Sequence, residues 1–197
     1  TLLLNDTQEL QKGTISLIQE LGRQGRIFAP ASGRQYPNLK RLFAPETDLY
    51  YICENGALLM KDDKILQQHL IERELGEEMI RAILAEDGCE VLVSGVHTSY
   101  IQPKESWFVT HLRDVVKNNI TVTDNIFSVQ EPYMKISVCQ RDGIEKTRQM
   151  WEHRFEGRVV TMVSGNMWLD LMPFGADKGA GIDRIQKDLG ILPEETM

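Results

Sequence analysis

The sequence is poor in the residues that mark secreted and membrane proteins. Its 197 residues include only three cysteines, Cys53, Cys89 and Cys139, an odd number at wide spacing that suggests neither a disulfide framework nor a zinc site. We expect reduced, partly buried thiols. No apolar stretch approaches the roughly 20 residues of a membrane span, and no basic segment precedes an apolar one at the start of the sequence. We therefore expect a cytoplasmic protein without a membrane partner.

Positive charge is also scarce. The 22 lysines and arginines are outnumbered by 29 aspartates and glutamates, which gives a formal net charge of -7. Nucleic acids are bound by clusters of positive charge, so we expect no nucleic-acid partner. A small anionic ligand is still allowed, because it responds to the local field of a pocket. The four histidines form no HExxH pattern and have no cysteine at metal-ligand spacing, so we assign no metal ligand from the sequence.

The first informative stretch surrounds Ser32. An apolar run from Ile27 to Ala31 gives way to Ser32, Gly33 and Arg34, and then to a segment with helical periodicity. This pattern predicts a strand, a tight turn and a helix. A phosphate group at such a turn would accept hydrogen bonds from helix amides and from the Ser32 hydroxyl, with Arg34 as an adjacent cation. The alternative is that Ser32 only caps the helix.

A second informative stretch precedes the last helix. Asp177, Lys178 and Gly179 lie just before an apolar helical face that ends at Gly190. A lysine in the first turn of a helix opposes the helix dipole, so it calls for a nearby anion. Either Asp177 is that anion, as the N-cap, or Lys178 directs its ammonium at the phosphate that Ser32 holds.

The order of predicted elements changes along the chain. The first part of the chain is predicted to alternate between helices and strands: a helix at Thr7–Glu20, a strand at Arg26–Ala31, a second helix, and a strand at Leu49–Cys53. This alternation is typical of a parallel sheet with crossover helices. A charged turn between two apolar runs then predicts a β-hairpin. Later strands, among them Cys89–Ser94 and Trp168–Met172, are predicted to pair as neighbouring hairpins with helices between them.

These patterns predict an α/β fold with an insertion. The core is formed by residues 1–71 and 172–197, and an α+β domain is inserted over residues 72–171.

The motifs, in the order in which they occur along the chain, resemble those of the haloacid dehalogenase superfamily. In particular, they resemble the Cof-type sugar-phosphate phosphatases, which have a Rossmann-like core and a large inserted α/β cap of the C2 type. Ala31–Arg34 resembles the second motif of that family, Ile52–Ala57 its Asn-Gly-Ala turn, and Asp177–Gly179 its third motif. Thr1–Leu3 resembles the end of the nucleophile motif. The resemblance covers essentially the whole chain.

The resemblance implies hydrolysis of a phosphate monoester through an aspartyl-phosphate, with Mg²⁺ as the required cofactor. The ligand would be a small phosphorylated metabolite such as a sugar phosphate. Ser32 would donate its hydroxyl and Gly33 its backbone N–H to the phosphoryl group, and Lys178 would neutralise its charge. Arg34 and Asn55 would help to bind the substrate, although an Asn-Gly turn also explains Asn55 by itself.

The sequence departs from the family in its acidic motifs. It contains no Asp-x-Asp pair, and no Gly-Asp with further acidic residues follows the last predicted helix. Asp62 and Asp63 cannot replace them, because adjacent side chains in a hairpin turn diverge. We therefore expect these 197 residues to be an incomplete phosphatase that lacks the nucleophile and most of the Mg²⁺ site, and that does not turn over by itself.

Substrate contacts from the insert are less well determined. His97, Tyr100, Trp107 and Lys135 are polar or aromatic enough to contact a leaving group, but strand edges or packing between cap and core also explain each of them, and we assign none of them a catalytic role.

Two alternatives to a Cof-type phosphatase stay open. One is a related capped enzyme, such as a sucrose-phosphate or mannosylglycerate-phosphate phosphatase or a phosphomannomutase. The other is a non-catalytic protein that binds or senses a phosphorylated ligand, keeping Ser32 and Lys178 without the nucleophile. The sequence does not determine the substrate or the oligomeric state.

Overall fold

The computed structural model describes residues 9–44 and 48–197. The stretch Thr1–Leu3 lies outside the described residues. The helices are α1 (Thr14–Arg23), α2 (Tyr36–Phe43), α3 (Arg73–Ala85), α4 (Ser106–Thr110), α5 (Arg148–Arg154) and α6 (Lys178–Leu189), and a π-helical segment, His111–Val116, continues α4. The strands are β1 (Tyr51–Cys53), β2 (Leu58–Lys61), β3 (Lys64–Gln68), β4 (Cys89–Ser94), β5 (Ser99–Ile101), β6 (Ile120–Val122), β7 (Lys135–Gln140), β8 (Val160–Gly165) and β9 (Trp168–Met172). Within the described residues, no helix combines the length and apolarity needed to cross a membrane.

A three-stranded antiparallel sheet, β1-β2-β3, forms the centre of a first unit, which also contains α1, α2 and α6. The predicted hairpin is confirmed as β2 and β3. Its two turn residues, Asp62 and Asp63, have φ angles of 51° and 59°, the left-handed conformation of a two-residue hairpin turn. Strand β1 is buried on both faces. Tyr51 and Cys53 pack with α1 and α2, whereas Ile52 packs with Ile185 of α6.

Two predictions in the first unit need correction. The helix predicted at Thr7–Glu20 runs from Thr14 to Arg23, because Gly13, with a φ of 89°, occupies the N-cap position. The predicted strand Arg26–Ala31 is reduced, among the described residues, to a single parallel bridge between Ala31 and Ile52. Pro30 contributes only its carbonyl, which accepts from the Ile52 N–H at 3.0 Å, since proline has no N–H of its own.

The second unit is a six-stranded sheet of order β6-β5-β4-β7-β9-β8. β5 and β6 pair in parallel, and the other neighbours pair antiparallel. Alternate residues of β4 face opposite sides. Val91 and Val93 pack in a core with α3 and α5, whereas Leu92 packs with Phe108 of α4 and Leu112 of the π-helical segment. Helices therefore cover both faces of the sheet.

The two units are in contact at several points. Met134, just before β7, and Met172, at the end of β9, are buried in the core of the first unit. The mixed α/β fold that the sequence predicts is confirmed. The buried thiols are confirmed as well, since all three cysteines are free and buried, and burial raises the pKa of each of them.

One glycine brings the start of α6 against the end of β1. Gly56 has a φ of 102°, and a Cβ atom at this position would overlap the carbonyl oxygen of Asp177. Gly56 is therefore required both for its backbone conformation and for the lack of a side chain. Gly190, at the end of α6, also has a positive φ, 67°, but has open space around it.

We therefore expect Gly56→Ala to be much more destabilising than Gly190→Ala. Gly190→Ala incurs only the cost of a left-handed alanine, about 1–2 kcal/mol. Gly56→Ala adds displacement of the Asp177 backbone, for a total of about 3 kcal/mol or more. Urea unfolding of the two variants beside the parent chain measures the difference. Equal losses of unfolding free energy would contradict the close approach of Gly56 and Asp177.

Candidate functional site

The Ser32 loop is fixed by backbone hydrogen bonds to the segment that follows β1. The Ser32 N–H donates to the Ile52 carbonyl at 2.9 Å, the Asn55 N–H to the Ser32 carbonyl at 3.0 Å, and the Glu54 N–H to the Arg34 carbonyl at 3.1 Å. The Ser32 hydroxyl oxygen accepts from the Arg34 N–H at 3.3 Å. This bond uses a lone pair of the hydroxyl and leaves its O–H to donate to a ligand.

Ser32 does not cap the next helix, so that alternative is wrong. Helix α2 begins at Tyr36, its N-cap residue is Gln35, and no side chain makes a capping hydrogen bond there. The Gln35 amide reaches the second unit instead. Its nitrogen donates to Ser99 Oγ and to the Asn119 carbonyl, both at 3.1 Å, and its oxygen accepts from the Asn119 N–H at 3.0 Å.

The turn Glu54–Gly56 lies directly behind this loop. All three of its residues have positive φ angles, 49°, 57° and 102°. This conformation is rare for glutamate and costs about 1 kcal/mol or more there. The Asn55 amide nitrogen donates to Asp170 Oδ2 at 3.0 Å, and a Cβ atom on Gly33 would lie 2.8 Å from the Asn55 side-chain oxygen. Asn55 therefore packs against Gly33, and a larger residue at position 33 would have to displace the Asn55 side chain.

A buried ion cluster joins this turn to the second unit. Lys135 Nζ lies 2.7 Å from Glu54 Oε2 and 3.3 Å from Asp170 Oδ2, and it donates to the Gly33 carbonyl at 3.2 Å. Ser137 Oγ donates to Asp170 Oδ1 at 2.6 Å. Lys135, Glu54 and Asp170 are only 6%, 2% and 2% exposed. One ammonium and two carboxylates are thus held out of water beside the Ser32 loop.

Burial and neighbouring charges shift the pKa values of groups in this cluster and next to it. Burial alone would lower the pKa of the Lys135 ammonium, but Asp170 and Glu54 outweigh burial and raise it. Burial raises the pKa of the Glu54 carboxyl, and Lys135 opposes that effect. Burial and the nearby Arg41 lower the pKa of Arg34, whose guanidinium nevertheless stays protonated at neutral pH, as arginine does in proteins.

A cavity of about 320 Å³ opens between the Ser32 loop and the six-stranded sheet. This volume suits a small metabolite. Its lining is mainly polar and includes Ser32, Gly33, Arg34, Gln35, Glu54, Ser94, Asn118, Lys135, Ser137, Ser164 and Asp170. Four apolar residues, Leu92, Leu112, Val116 and Trp168, also line it.

The structure brings three of the five predicted site residues into this cavity. Ser32, Gly33 and Arg34 line it, and Asn55 supports it from behind through Gly33 and Asp170. Lys178 is exposed at the start of α6 and is not part of the lining. Asp177 Oδ1 accepts from the Ala180 N–H at 2.8 Å, so the predicted N-cap is confirmed. The role of Lys178 at the phosphate stays a prediction.

Of the four residues of the insert that were considered for substrate contact, Lys135 lines the cavity. His97 is exposed, the Tyr100 hydroxyl donates to Glu131, and Trp107 packs against Phe108. Sequence reasoning missed Trp168, Glu54 and Asp170. A signal for Asp170 was present, because an aspartate inside the apolar strand W-L-D-L-M must find a buried partner.

The described residues do not fit a magnesium site. Over residues 9–44 and 48–197, no group of three histidine, cysteine or acidic side chains is arranged to hold a metal ion. The acidic pair that faces the cavity, Glu54 and Asp170, is already bound to Lys135. We therefore assign no metal ligand and no step through a metal to these residues.

Comparison with solved structures identifies the same fold in other proteins. A protein from Eubacterium rectale superposes with a TM-score of 0.86 at 22% identity, covering 99% of this chain and 75% of the other. A haloacid dehalogenase-like hydrolase from B. subtilis has a TM-score of 0.82 at 16% identity, with 98% and 77% covered. The subclass IIB sugar phosphatase BT4131 has a TM-score of 0.80 at 20% identity, with 99% and 75% covered.

Comparison of sequences gives two results. No curated protein matches the chain. The family model described as haloacid dehalogenase-like hydrolase matches residues 1–197, and the chain therefore belongs to that family.

Proposed function

We propose that this chain forms the substrate site of a phosphatase that acts on small phosphate monoesters such as sugar phosphates. The observation that carries the proposal is the Ser32 hydroxyl. Its oxygen is held by the Arg34 N–H at 3.3 Å, so its proton is left to donate into a cavity that Arg34 also lines. Within this proposal, residues 1–71 and 172–197 are the core, and residues 72–171 are a cap over the cavity.

The loop suits the phosphoryl end of the substrate. A hydroxyl donor, a backbone N–H at Gly33 and the guanidinium of Arg34 would surround phosphate oxygens, and hydrogen bonds to such anions are stronger than neutral ones. Phosphoryl transfer depends mainly on positioning and on fixed positive charge, which these groups supply. Lys178 would add charge neutralisation from the start of α6.

The rest of the cavity suits a sugar. Ser164, Asn118 and Glu54 offer hydrogen-bonding groups for hydroxyls, whereas Trp168 and Leu112 present apolar surface. A pyranose ring has hydroxyls at its edge and C–H groups on its faces, so it matches a wall of both kinds. The similarity to BT4131, a sugar phosphatase of the same fold, supports this substrate class.

A second candidate function is binding of a phosphorylated ligand without hydrolysis. The acidic pair that faces the cavity, Glu54 and Asp170, is already bound to Lys135, whereas the family mechanism uses an aspartate nucleophile. The same cavity would then serve to bind or sense the ester, and Mg²⁺ would not be needed by the residues described above.

Calorimetric titration with inorganic phosphate tests the loop. We expect one binding site and a loss of about 10-fold or more in affinity in Ser32→Ala, because a hydrogen bond to a charged group contributes about 1.5–3 kcal/mol. Ser16→Ala, at an exposed position of α1, is the matched control and should bind phosphate like the parent chain. Unchanged affinity in Ser32→Ala would refute the assignment of the loop.

Phosphate release from a hexose 6-phosphate and an aryl phosphate, measured with and without Mg²⁺ on this chain and on one extended at both ends, separates the two candidate functions. Hydrolysis by the extended chain that requires Mg²⁺ and falls by about 10-fold or more in Lys178→Ala supports the phosphatase. Tight ester binding without release by either chain supports the binding protein. Esters of mannose and sucrose in the same panel distinguish the related capped enzymes.

Trp168 should affect the sugar and not the phosphate. We expect Trp168→Ala to weaken binding of hexose 6-phosphate about 5- to 10-fold, the scale of about 1 kcal/mol for lost contact with an aromatic surface, and to leave inorganic phosphate unaffected. Trp168→Phe keeps an aromatic surface and should retain most of the affinity. An equal loss for both ligands in Trp168→Ala would indicate damage to the fold instead.

A further inference from the structure

We infer that Lys135 is a positioning residue for the phosphate-binding loop: it holds the Gly33 carbonyl and, through the peptide that joins Gly33 to Arg34, orients the Ser32 hydroxyl. The inference rests on the proposed function of that loop. It assigns Lys135 an action through the loop, although the side chain lines the cavity.

The first argument is that all three N–H donors of the Lys135 ammonium already have acceptors. An ammonium carries three N–H groups. Three oxygens surround Lys135 Nζ: Glu54 Oε2 at 2.7 Å, the Gly33 carbonyl at 3.2 Å and Asp170 Oδ2 at 3.3 Å. A substrate that bound to this ammonium would have to displace one of these partners. Lys135 therefore acts on the ligand indirectly.

The second argument comes from the geometry of one peptide unit. The Gly33 carbonyl and the Arg34 N–H belong to the same planar peptide and point in opposite directions. The carbonyl accepts from Lys135, and the N–H donates to Ser32 Oγ at 3.3 Å. Lys135 thus fixes the plane whose other edge holds the Ser32 hydroxyl, and this determines where the hydroxyl proton can point.

The remaining members of the cluster support the same loop from behind. Asp170 accepts from Lys135, from the Asn55 amide at 3.0 Å and from Ser137 at 2.6 Å. The Asn55 side chain packs against Gly33, so the glycine is confined at its carbonyl and at its α-carbon. Lys135 and Asp170 belong to the six-stranded sheet, and Gly33 and Asn55 belong to the first unit. The loop is therefore oriented only while the two units are in contact.

Stability alone does not account for such a cluster. Moving three charges out of water is costly, and apolar side chains of similar size often stabilise a protein as well or better. A cluster that fixes the geometry of a binding loop has a use that apolar packing does not provide.

The test compares inorganic phosphate binding in charge-neutral variants. Lys135→Met alone leaves two carboxylates buried without a cation and is at risk of not folding. The triple variant Glu54→Gln/Lys135→Met/Asp170→Asn removes every charge and keeps the side-chain volumes. Asp170→Asn alone is a milder second variant, since it leaves the Lys135–Glu54 pair balanced. Urea unfolding of each variant establishes that it is folded under the conditions of the titration.

Positioning and simple electrostatics predict opposite results. The triple variant and Asp170→Asn each make the net charge of the cluster less negative near an anion site. An electrostatic role alone therefore predicts tighter or unchanged phosphate binding in both. Positioning predicts weaker binding, by about 10-fold in the triple variant and about 3-fold in Asp170→Asn.

Lys104→Met is the matched control. Lys104 Nζ also donates to three oxygens, the carbonyls of Ile83, Leu84 and Glu86, and none of these residues lines the cavity. We expect this variant to lose stability and to keep the phosphate affinity of the parent chain.

The outcomes separate this inference from the proposed function. Phosphate binding by the parent chain that is lost in Ser32→Ala, but equal or tighter in the triple variant and in Asp170→Asn, overturns the role of Lys135 alone. A parent chain that binds no phosphate overturns the loop assignment and this inference together. If the triple variant does not fold, Asp170→Asn decides between weaker and unweakened binding.

Discussion

The turn Glu54–Gly56 is the constraint on which the rest of the site depends. Each of its residues has a positive φ, and each contacts a different part of the molecule. The Glu54 carboxylate binds Lys135 of the six-stranded sheet, the Asn55 side chain packs against Gly33 of the Ser32 loop, and Gly56 packs against the backbone of Asp177. The strain at Glu54 is tolerated because this turn joins the loop, the second unit and the start of α6 in one place.

The elements that the sequence predicted best are those with a strong local signal. β4 and β9 were predicted to the residue, because each is a buried run bounded by turn or polar residues. β6 was missed. It has only three residues, of which Thr121 and Val122 are exposed, and its parallel pairing with β5 depends on the chain in between. A three-residue strand whose pairing depends on a distant segment shows no hydrophobic periodicity in the sequence.

Only the Ser32 loop of the candidate site could be predicted from the sequence. Ser32, Gly33 and Arg34 are consecutive, so their order and the turn they form could be read from the sequence. The ion cluster joins residues 54, 135 and 170, and nothing local in the sequence says that Glu54 lies next to Lys135. The one local sign was Asp170 in an apolar strand, which required a buried partner without naming it.

The contacts beside the cavity are polar, and this affects how the two units respond to a ligand. Gln35 and Asn38 of the first unit bond to residues 99–119 of the second, and Lys135 bonds to Glu54. Polar surfaces regain hydrogen bonds to water when they separate, so such an interface opens at lower cost than an apolar one of equal area. A phosphate ester in the cavity would touch both units at once. Its binding energy would then stabilise the observed arrangement, in which Lys135 reaches Gly33 and the Ser32 hydroxyl accepts from the Arg34 N–H. In this way the fold would couple recognition of the leaving group to the geometry at the phosphate.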